Sequence, residues 1–114
     1  MTTIEHTALT NLIHNEPFAR KVLPFIKGDY FSDRTERIVF EEIEKFVDKY
    51  NALPNKNSLE VELDSRKDLN EEDYKRVLSV LKSLKSDDDV NFEWLVETTE
   101  QFCKDKAVYN AIVD

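Results

Sequence analysis

The chain has 114 residues, 40% of them hydrophobic, and a formal net charge of −8 at pH 7. This length suits a single domain, and the many Phe and Tyr residues argue against disorder. The acidic balance weighs against tight binding of a nucleic-acid backbone, because that affinity comes from Lys and Arg displacing counterions. One Gly and three Pro leave few turn residues, which disfavours an all-β fold.

Cysteine content and hydropathy narrow the class of protein further. Cys103 is the only cysteine, so an intramolecular disulfide and a cysteine-based zinc site are excluded. No apolar run approaches membrane-spanning length, and no signal peptide is visible. We therefore expect a cytoplasmic protein with no membrane partner.

Two short helices are predicted at the N-terminus. The first covers about residues 3–13 and has an apolar stripe made of Ile4, Ala8, Leu9 and Leu12. Asn15 can cap the second, because Pro17 then falls in the first turn, where a missing N–H is harmless. Pro24 should end or kink that helix, and Gly28 is a candidate C-terminal stop.

The longest amphipathic pattern runs from Asp33 to about Tyr50, with Ser32 as the candidate N-cap. Its apolar stripe is Val39, Phe40, Ile43, Phe46, Val47 and Tyr50. A helix with this stripe must be covered by others, so we expect it to organise the core. Ile38 lies well off the stripe, and single exposure is favoured over a contact role.

The next stretch, residues 55–64, is ambiguous. Strict alternation from Leu59 to Leu63 is typical of a strand, but no second strand is apparent to pair with it. A short helix capped by Asn55 is favoured, because Leu59 and Leu63 also form an i,i+4 pair. A further helix is predicted after Asn70, with the stripe Tyr74, Val77, Leu78, Leu81 and Leu84.

The final helix is predicted from about Phe92, capped by Asn91, to the last residue. Its first half has one apolar stripe, made of Phe92, Leu95, Val96, Phe102 and Cys103. Beyond Lys106 the apolar positions spread around the helix, which then needs several packing partners. We expect this chain to be the N-terminal piece of a longer polypeptide, and the interface candidates are Phe102, Ala107, Val108, Tyr109, Ala111, Ile112 and Val113.

No catalytic, cofactor-binding or metal-binding residues are predicted. Gly28 is the only glycine, so neither a Walker A loop nor a dinucleotide fingerprint is present. His6 and His14 lie about two helical turns apart, too far to chelate one ion, and are expected to be solvated. The acidic run 87–89 is interpreted as a helix-capping loop in preference to a cation site, which needs spaced ligands. Cys103 is expected to be a buried structural thiol.

Several features follow one another in an order that covers nearly the whole chain. An Asn15-Glu16 step leads into an apolar helix, and an aspartate–aromatic group follows at residues 29–31. The next helix opens with Asp33-Arg34 and carries Ile38-Val39-Phe40, and Leu53-Pro54 comes before Leu59 and Leu63. This order, with the closing FCKDKAVYNAIVD, resembles the N-terminal domain of DnaB-type hexameric replicative helicases. In appearance it is closest to those of T-even-like bacteriophages.

The resemblance implies that the whole protein is an ATP-driven DNA helicase that encircles one strand and moves 5′ to 3′ at the replication fork. Its ATPase domain, with ATP and Mg, would lie outside this segment, which would hold no cofactor. Residues 1–90 would form a globular head, and residues 91–114 the start of a helical hairpin in a collar. The implied partners are other subunits of a hexameric ring, primase, and single-stranded DNA bound through the whole protein, in the host cytoplasm.

We therefore predict an all-α bundle of five to six helices, acting as a non-catalytic collar and protein-docking domain. The alternative is a stand-alone acidic regulator that mimics DNA or sequesters a basic partner, which the charge of −8 supports. A mimic should carry a regular carboxylate array, whereas Lys and Arg are interspersed on every predicted helix after the first. A small helical enzyme is a third possibility, which no side-chain constellation supports.

Overall fold

A computed structural model describes residues 3–85 and 90–113. Across these residues the chain forms α1 (Ile4–His14), α2 (Glu16–Val22), α3 (Arg34–Tyr50), α4 (Lys56–Asp64), α5 (Glu71–Ser83) and α6 (Phe92–Val113). A short 3₁₀ turn, Gly28–Tyr30, lies between α2 and α3. The predicted all-α fold with a long C-terminal helix is confirmed. The predicted acidic loop at residues 86–89, with its alternative cation site, lies outside the described residues.

Asparagine side chains start four of these helices, as the sequence predicts. An Asn oxygen accepts a backbone N–H that would otherwise lack a partner in the first turn. The four caps are Asn15 to Phe18 at 3.1 Å, Asn55 to Ser58 at 2.8 Å, Asn70 to Asp73 at 2.7 Å, and Asn91 to Trp94 at 2.9 Å.

The predicted Ser32 cap of α3 is wrong, since Asp33 takes that position. Its carboxylate accepts the backbone N–H groups of Thr35 and Glu36, and its charge suits the positive end of the helix dipole. Gly28 is also misplaced as a stop, because α2 ends at Val22, just before Pro24, and Gly28 opens the 3₁₀ turn.

The ambiguous alternating segment is helical. In a strand, Leu59, Val61 and Leu63 would share one face. In α4 the two leucines are buried, whereas Val61 points away and is 68% exposed. α4 packs against α3 and α5, which supply the apolar surface that covers the leucines.

α3 is the central helix, and it is covered on more sides than its stripe predicts. It packs against α1, α4, α5 and the 3₁₀ turn. Ile38 is therefore buried, at 6% exposure, and the expectation of single exposure is wrong. The stripe predicts a buried Tyr50, but this residue is 50% exposed, at the last position of the helix.

Phe31, just after the 3₁₀ turn, is the aromatic centre of the core. It is fully buried, with its ring centroid 5.1 Å from that of Phe40 and 6.5 Å from that of Phe102. The Arg37 guanidinium donates to the Phe31 carbonyl oxygen at 2.9 Å. These contacts tie the 3₁₀ turn to α3 and to α6, and so fix where α6 leaves the head.

Candidate functional site

The first half of α6 belongs to the core. It packs against α1, α2 and the 3₁₀ turn, and buries Leu95, Val96, Thr99 and Cys103. Phe92, predicted on the same stripe, is exposed because it opens the helix ahead of Leu95, the first fully buried residue. Thr99 belongs to the buried stripe instead of Phe92, and hydropathy alone does not predict the burial of this polar residue.

The last part of α6, Lys106–Val113, is called the terminal turns. Its large apolar side chains are mostly exposed, and Ile112 reaches 77%. Val113 follows Leu95 by about five full helical turns and so points to the same side of the helix. Leu95 is fully buried but Val113 is 59% exposed, so the head no longer covers this side of α6 at Val113.

The seven predicted interface residues fall into two groups. Phe102 is half-buried, with its ring edge against Phe31, so it contributes to the chain's own core. The other six are exposed: Ala107, Val108, Tyr109, Ala111, Ile112 and Val113. Their contact with another chain stays a prediction.

A groove of about 250 Å³ marks the boundary between the two parts of α6. It is lined by Phe25, Tyr30, Glu100, Cys103, Lys104 and Ala107. Burial, followed by the charge of Glu100, raises the pKa of the Cys103 thiol to about 11. The thiol is therefore protonated at neutral pH, and the expected buried structural cysteine is confirmed.

A second exposed apolar surface, which the sequence did not predict as a site, lies between α3 and α4. We call it the α3–α4 patch and define it by Phe46, Tyr50 and Val61. The rings of Phe46 and Tyr50 have centroids 4.7 Å apart, and Lys49 Nζ lies 5.2 Å from the Tyr50 centroid. Helical periodicity alone predicts that both rings belong to the core.

A buried polar contact joins α3 to the segment between α4 and α5. The Glu42 carboxylate is nearly inaccessible, with Arg66 Nη1 at 3.5 Å and Lys45 Nζ at 3.7 Å. Arg66 also bonds to Asp68, which lowers the pKa of that carboxyl to about 2. This cluster fixes the loop that follows α4 and offers no free group for chemistry.

His14 is exposed, as expected, whereas His6 is more buried than expected, and each has a specific partner. His14 Nε2 lies 2.9 Å from the Leu84 carbonyl oxygen, although the residue is exposed. His6 is half-buried, with Nδ1 3.8 Å from Glu36 Oε2. Over the described part of the chain, no group of three or more His, Cys, Asp or Glu residues is placed to hold a metal ion.

Among residues 3–85 and 90–113, no helix combines the length and apolar character that crossing a membrane requires.

No family model matches the chain. A sequence alignment pairs 103 residues with the DnaB-like replicative helicase of Enterobacteria phage T4, at 29% identity. The chain is thus similar to a replicative helicase. The alignment covers 90% of this chain but 21% of that helicase, so the chain spans about a fifth of its relative's length. The resemblance predicted from the sequence is confirmed.

Proposed function

We propose that this chain is the N-terminal collar and protein-docking domain of a replicative DNA helicase, and that the terminal turns of α6 contact a neighbouring subunit. The observation that carries this proposal is the group of exposed apolar side chains on the terminal turns. The similarity to the phage T4 helicase supplies the setting in which such a contact is needed.

The energetics of the terminal turns support a contact. Single exposed apolar residues are common, but several contiguous ones mark an interaction surface. Burying one Val or Ile side chain contributes about 1.5–3 kcal/mol. An isolated helix end gains little from propensity alone, so a partner that covers Val108 and Ile112 would stabilise it.

Surface charge supports protein docking over DNA binding by this domain. Several exposed basic side chains are already paired with carboxylates: Arg20 with Glu16 at 2.7 Å, Arg34 with Asp73 at 3.0 Å, and Arg76 with Glu72 at 2.9 Å. The 24 Asp and Glu residues outnumber the 16 Lys and Arg residues, so the domain as a whole repels a phosphate backbone. Weak or absent DNA binding by this segment follows.

The whole protein, in this proposal, unwinds duplex DNA 5′ to 3′ at the replication fork in the host cytoplasm. ATP and Mg would act in a separate motor domain, and single-stranded DNA would be held by the assembled hexameric ring. This segment would support ring assembly and primase docking without taking part in hydrolysis. A phosphate-binding loop of the form GxxxxGK[ST] in the remainder of the parent protein would support the motor assignment.

Sedimentation velocity of the purified chain tests the subunit contact. We expect concentration-dependent association, which Val108→Ser combined with Ile112→Ser should weaken by about a hundredfold. Trp94→Ser is the matched control, because Trp94 is also on α6 and 53% exposed, but lies outside the terminal turns. Equal association of the double variant and the wild-type chain would contradict the proposed contact.

Primase docking needs its own measurement. The labelled chain is titrated with primase from the same source, and binding is followed by fluorescence anisotropy. Saturable binding supports the docking role, whereas no change in anisotropy up to high primase concentration refutes it. The subunit contact would stand in either case.

A further inference from the structure

We propose that one exposed side of the first half of α6 docks a helix rich in Arg and Lys from a partner protein. We call this surface the outer face and define it by Trp94, Glu97, Gln101 and Asp105. The proposal rests on the protein-docking role proposed above and adds the chemistry of one partner. The outer face shares no residue with the terminal turns, so it does not depend on the subunit contact.

The outer face is the side of α6 that points away from the head. Trp94, Gln101 and Asp105 follow one another at intervals of seven and four residues, so their side chains project to the same side of the helix. All three are exposed, and so is Glu97, three residues after Trp94. The buried stripe of α6 packs on the opposite side, against α1, α2 and the 3₁₀ turn. In the described part of the chain, the outer face is therefore an unpartnered helix face.

Trp94 supplies the aromatic contact of this face. It is the only tryptophan of the chain and is 53% exposed. Trp is enriched among the residues that dominate binding at protein interfaces, and its ring attracts a cation more strongly than that of Tyr or Phe. Glu93 precedes Trp94 directly, and Glu97 follows one helical turn later, so a cation over the ring also meets negative charge.

The charge of this region favours a basic partner. Residues 85–106 contain seven Asp or Glu and three Lys, a net charge of −4, which is half of the charge of the chain. Arg20 and Lys21 belong to α2, which packs on the opposite side of α6. An acidic partner, including a second copy of this chain, is therefore repelled here, and a basic one is attracted.

The nearest cations of α6 do not neutralise the outer face. Lys104 lies beside Glu100 in the wall of the groove at Cys103, and Lys106 lies over an aromatic ring of the terminal turns. Among the described residues, no ion pair includes the carboxylate of Glu97 or Asp105, whereas acids of α2 and α5 are paired within their own helices. Both carboxylates are thus available to a partner.

The spacing of these carboxylates favours a helical partner over a single cation. Glu97 and Asp105 are eight residues apart, which is about 12 Å along the helix axis. The Gln101 side-chain amide donates to Asp105 Oδ1 at 2.8 Å and so orients that carboxylate. A helix with Arg or Lys repeated along one side can meet both carboxylates while an Arg stacks on Trp94.

Fluorescence of Trp94 in the full 114-residue chain tests this proposal, because no other tryptophan contributes to the signal. The probe is a synthetic helical peptide of Ala, Leu and Arg, with its Arg residues on one side. A peptide with Glu in place of each Arg is the control. We expect a saturable change in emission with the Arg peptide, none with the Glu peptide, and weaker binding as salt is added.

Two double variants separate the outer face from the overall charge. Glu97→Gln with Asp105→Asn should weaken binding of the Arg peptide about tenfold, because two exposed ion pairs are lost. Glu44→Gln with Glu60→Gln is the matched control, since it removes two exposed carboxylates from α3 and α4, and should bind within about twofold of wild type. Trp94→Leu, measured by anisotropy of labelled peptide, should weaken binding about threefold through loss of the cation–π contact.

Equal binding by the two double variants would overturn the outer face, because the attraction would then come from net charge alone. No saturable binding of the Arg peptide, or equal binding of the Glu peptide, would also overturn it. Thermal melts check folding, and Glu97→Gln alone, with an expected loss of about threefold, replaces the double variant if that variant unfolds.

The outcomes also separate this proposal from the subunit contact. Val108→Ser combined with Ile112→Ser should leave binding of the Arg peptide unchanged, because neither residue belongs to the outer face. Failure of peptide binding overturns the outer face and leaves the sedimentation result standing. Normal peptide binding, together with no effect of the Val108 and Ile112 changes on association, overturns the subunit contact alone.

Discussion

The two halves of α6 belong to one continuous α-helix, but the first half is buried against the head and the second is largely exposed. Leu95, Thr99, Cys103, Ala107 and Ala111 form one i,i+4 row along the helix. The first three are buried and the last two are exposed. The head therefore stops covering this row between Cys103 and Ala107. Apolar residues appear on other faces of the helix at the same point, a pattern that needs packing partners on several sides.

Phe31→Ala should remove core contacts that hold the first half of α6, and should lower stability more than any other change proposed below. The mutation removes a fully buried ring that contacts Phe40 and Phe102, and should lower the free energy of unfolding by about 3–5 kcal/mol. Urea unfolding followed by circular dichroism measures the loss. Val113→Ser is the control from the other half and should stay within about 0.5 kcal/mol of wild type. Similar losses in both variants would contradict the division of α6.

The reactivity of the Cys103 thiol tests where the buried first half of α6 ends. Its burial and its pKa of about 11 should slow reaction with a thiol reagent at pH 8 by at least about a hundredfold relative to a free cysteine. An Ellman assay on native and urea-unfolded chain gives this ratio. Equal rates would show that α6 already leaves the head before Cys103.

Arg66→Met should destabilise the head without affecting the terminal turns. The buried Glu42 carboxylate would keep only the more distant Lys45, so we expect a loss of about 2 kcal/mol in unfolding free energy. Lys45→Met, at an exposed position, should cost about 0.5 kcal/mol or less. Equal losses in the two variants would refute the assigned role of Arg66. Self-association measured by sedimentation should be unchanged in both.

Glu36→Gln should give the smallest effect, and one that depends on pH. Burial, then Asp33 and Glu5, raise the pKa of Glu36 above its ordinary value of 4.5. Its contribution to stability is therefore present below pH 4.5 and is lost as pH rises through the higher folded pKa. The variant should be slightly more stable than wild type at pH 7 and equal to it near pH 3. Urea unfolding at both values measures this, and a less stable variant at pH 7 would instead assign the larger influence to the His6 contact.

Helix identity and most helix starts followed from the sequence, because capping is local. The four asparagine caps depend on a side chain and a backbone N–H about three residues later. The split in α6 was also visible, because the loss of a single apolar stripe after Lys106 is a property of the helix itself.

Burial on α3 could not be predicted from its own periodicity. Ile38 is buried because α3 is surrounded by neighbours, and Tyr50 is exposed because it ends the helix where that cover is incomplete. The Glu42–Arg66 contact joins residues 24 positions apart, so no local pattern indicates it. The α3–α4 patch was missed for the same reason: its members look like core until the packing of α4 is known.

Amide hydrogen exchange along α6, measured at increasing chain concentration, tests the central claim most directly. In a helix whose first half is core and whose terminal turns are an intermolecular contact, Leu95–Cys103 should be protected at every concentration. Amides of residues 106–113 should exchange fast in dilute solution and become protected as concentration rises. Fast exchange of the terminal turns at every concentration, or protection that is already full in dilute solution, would contradict it.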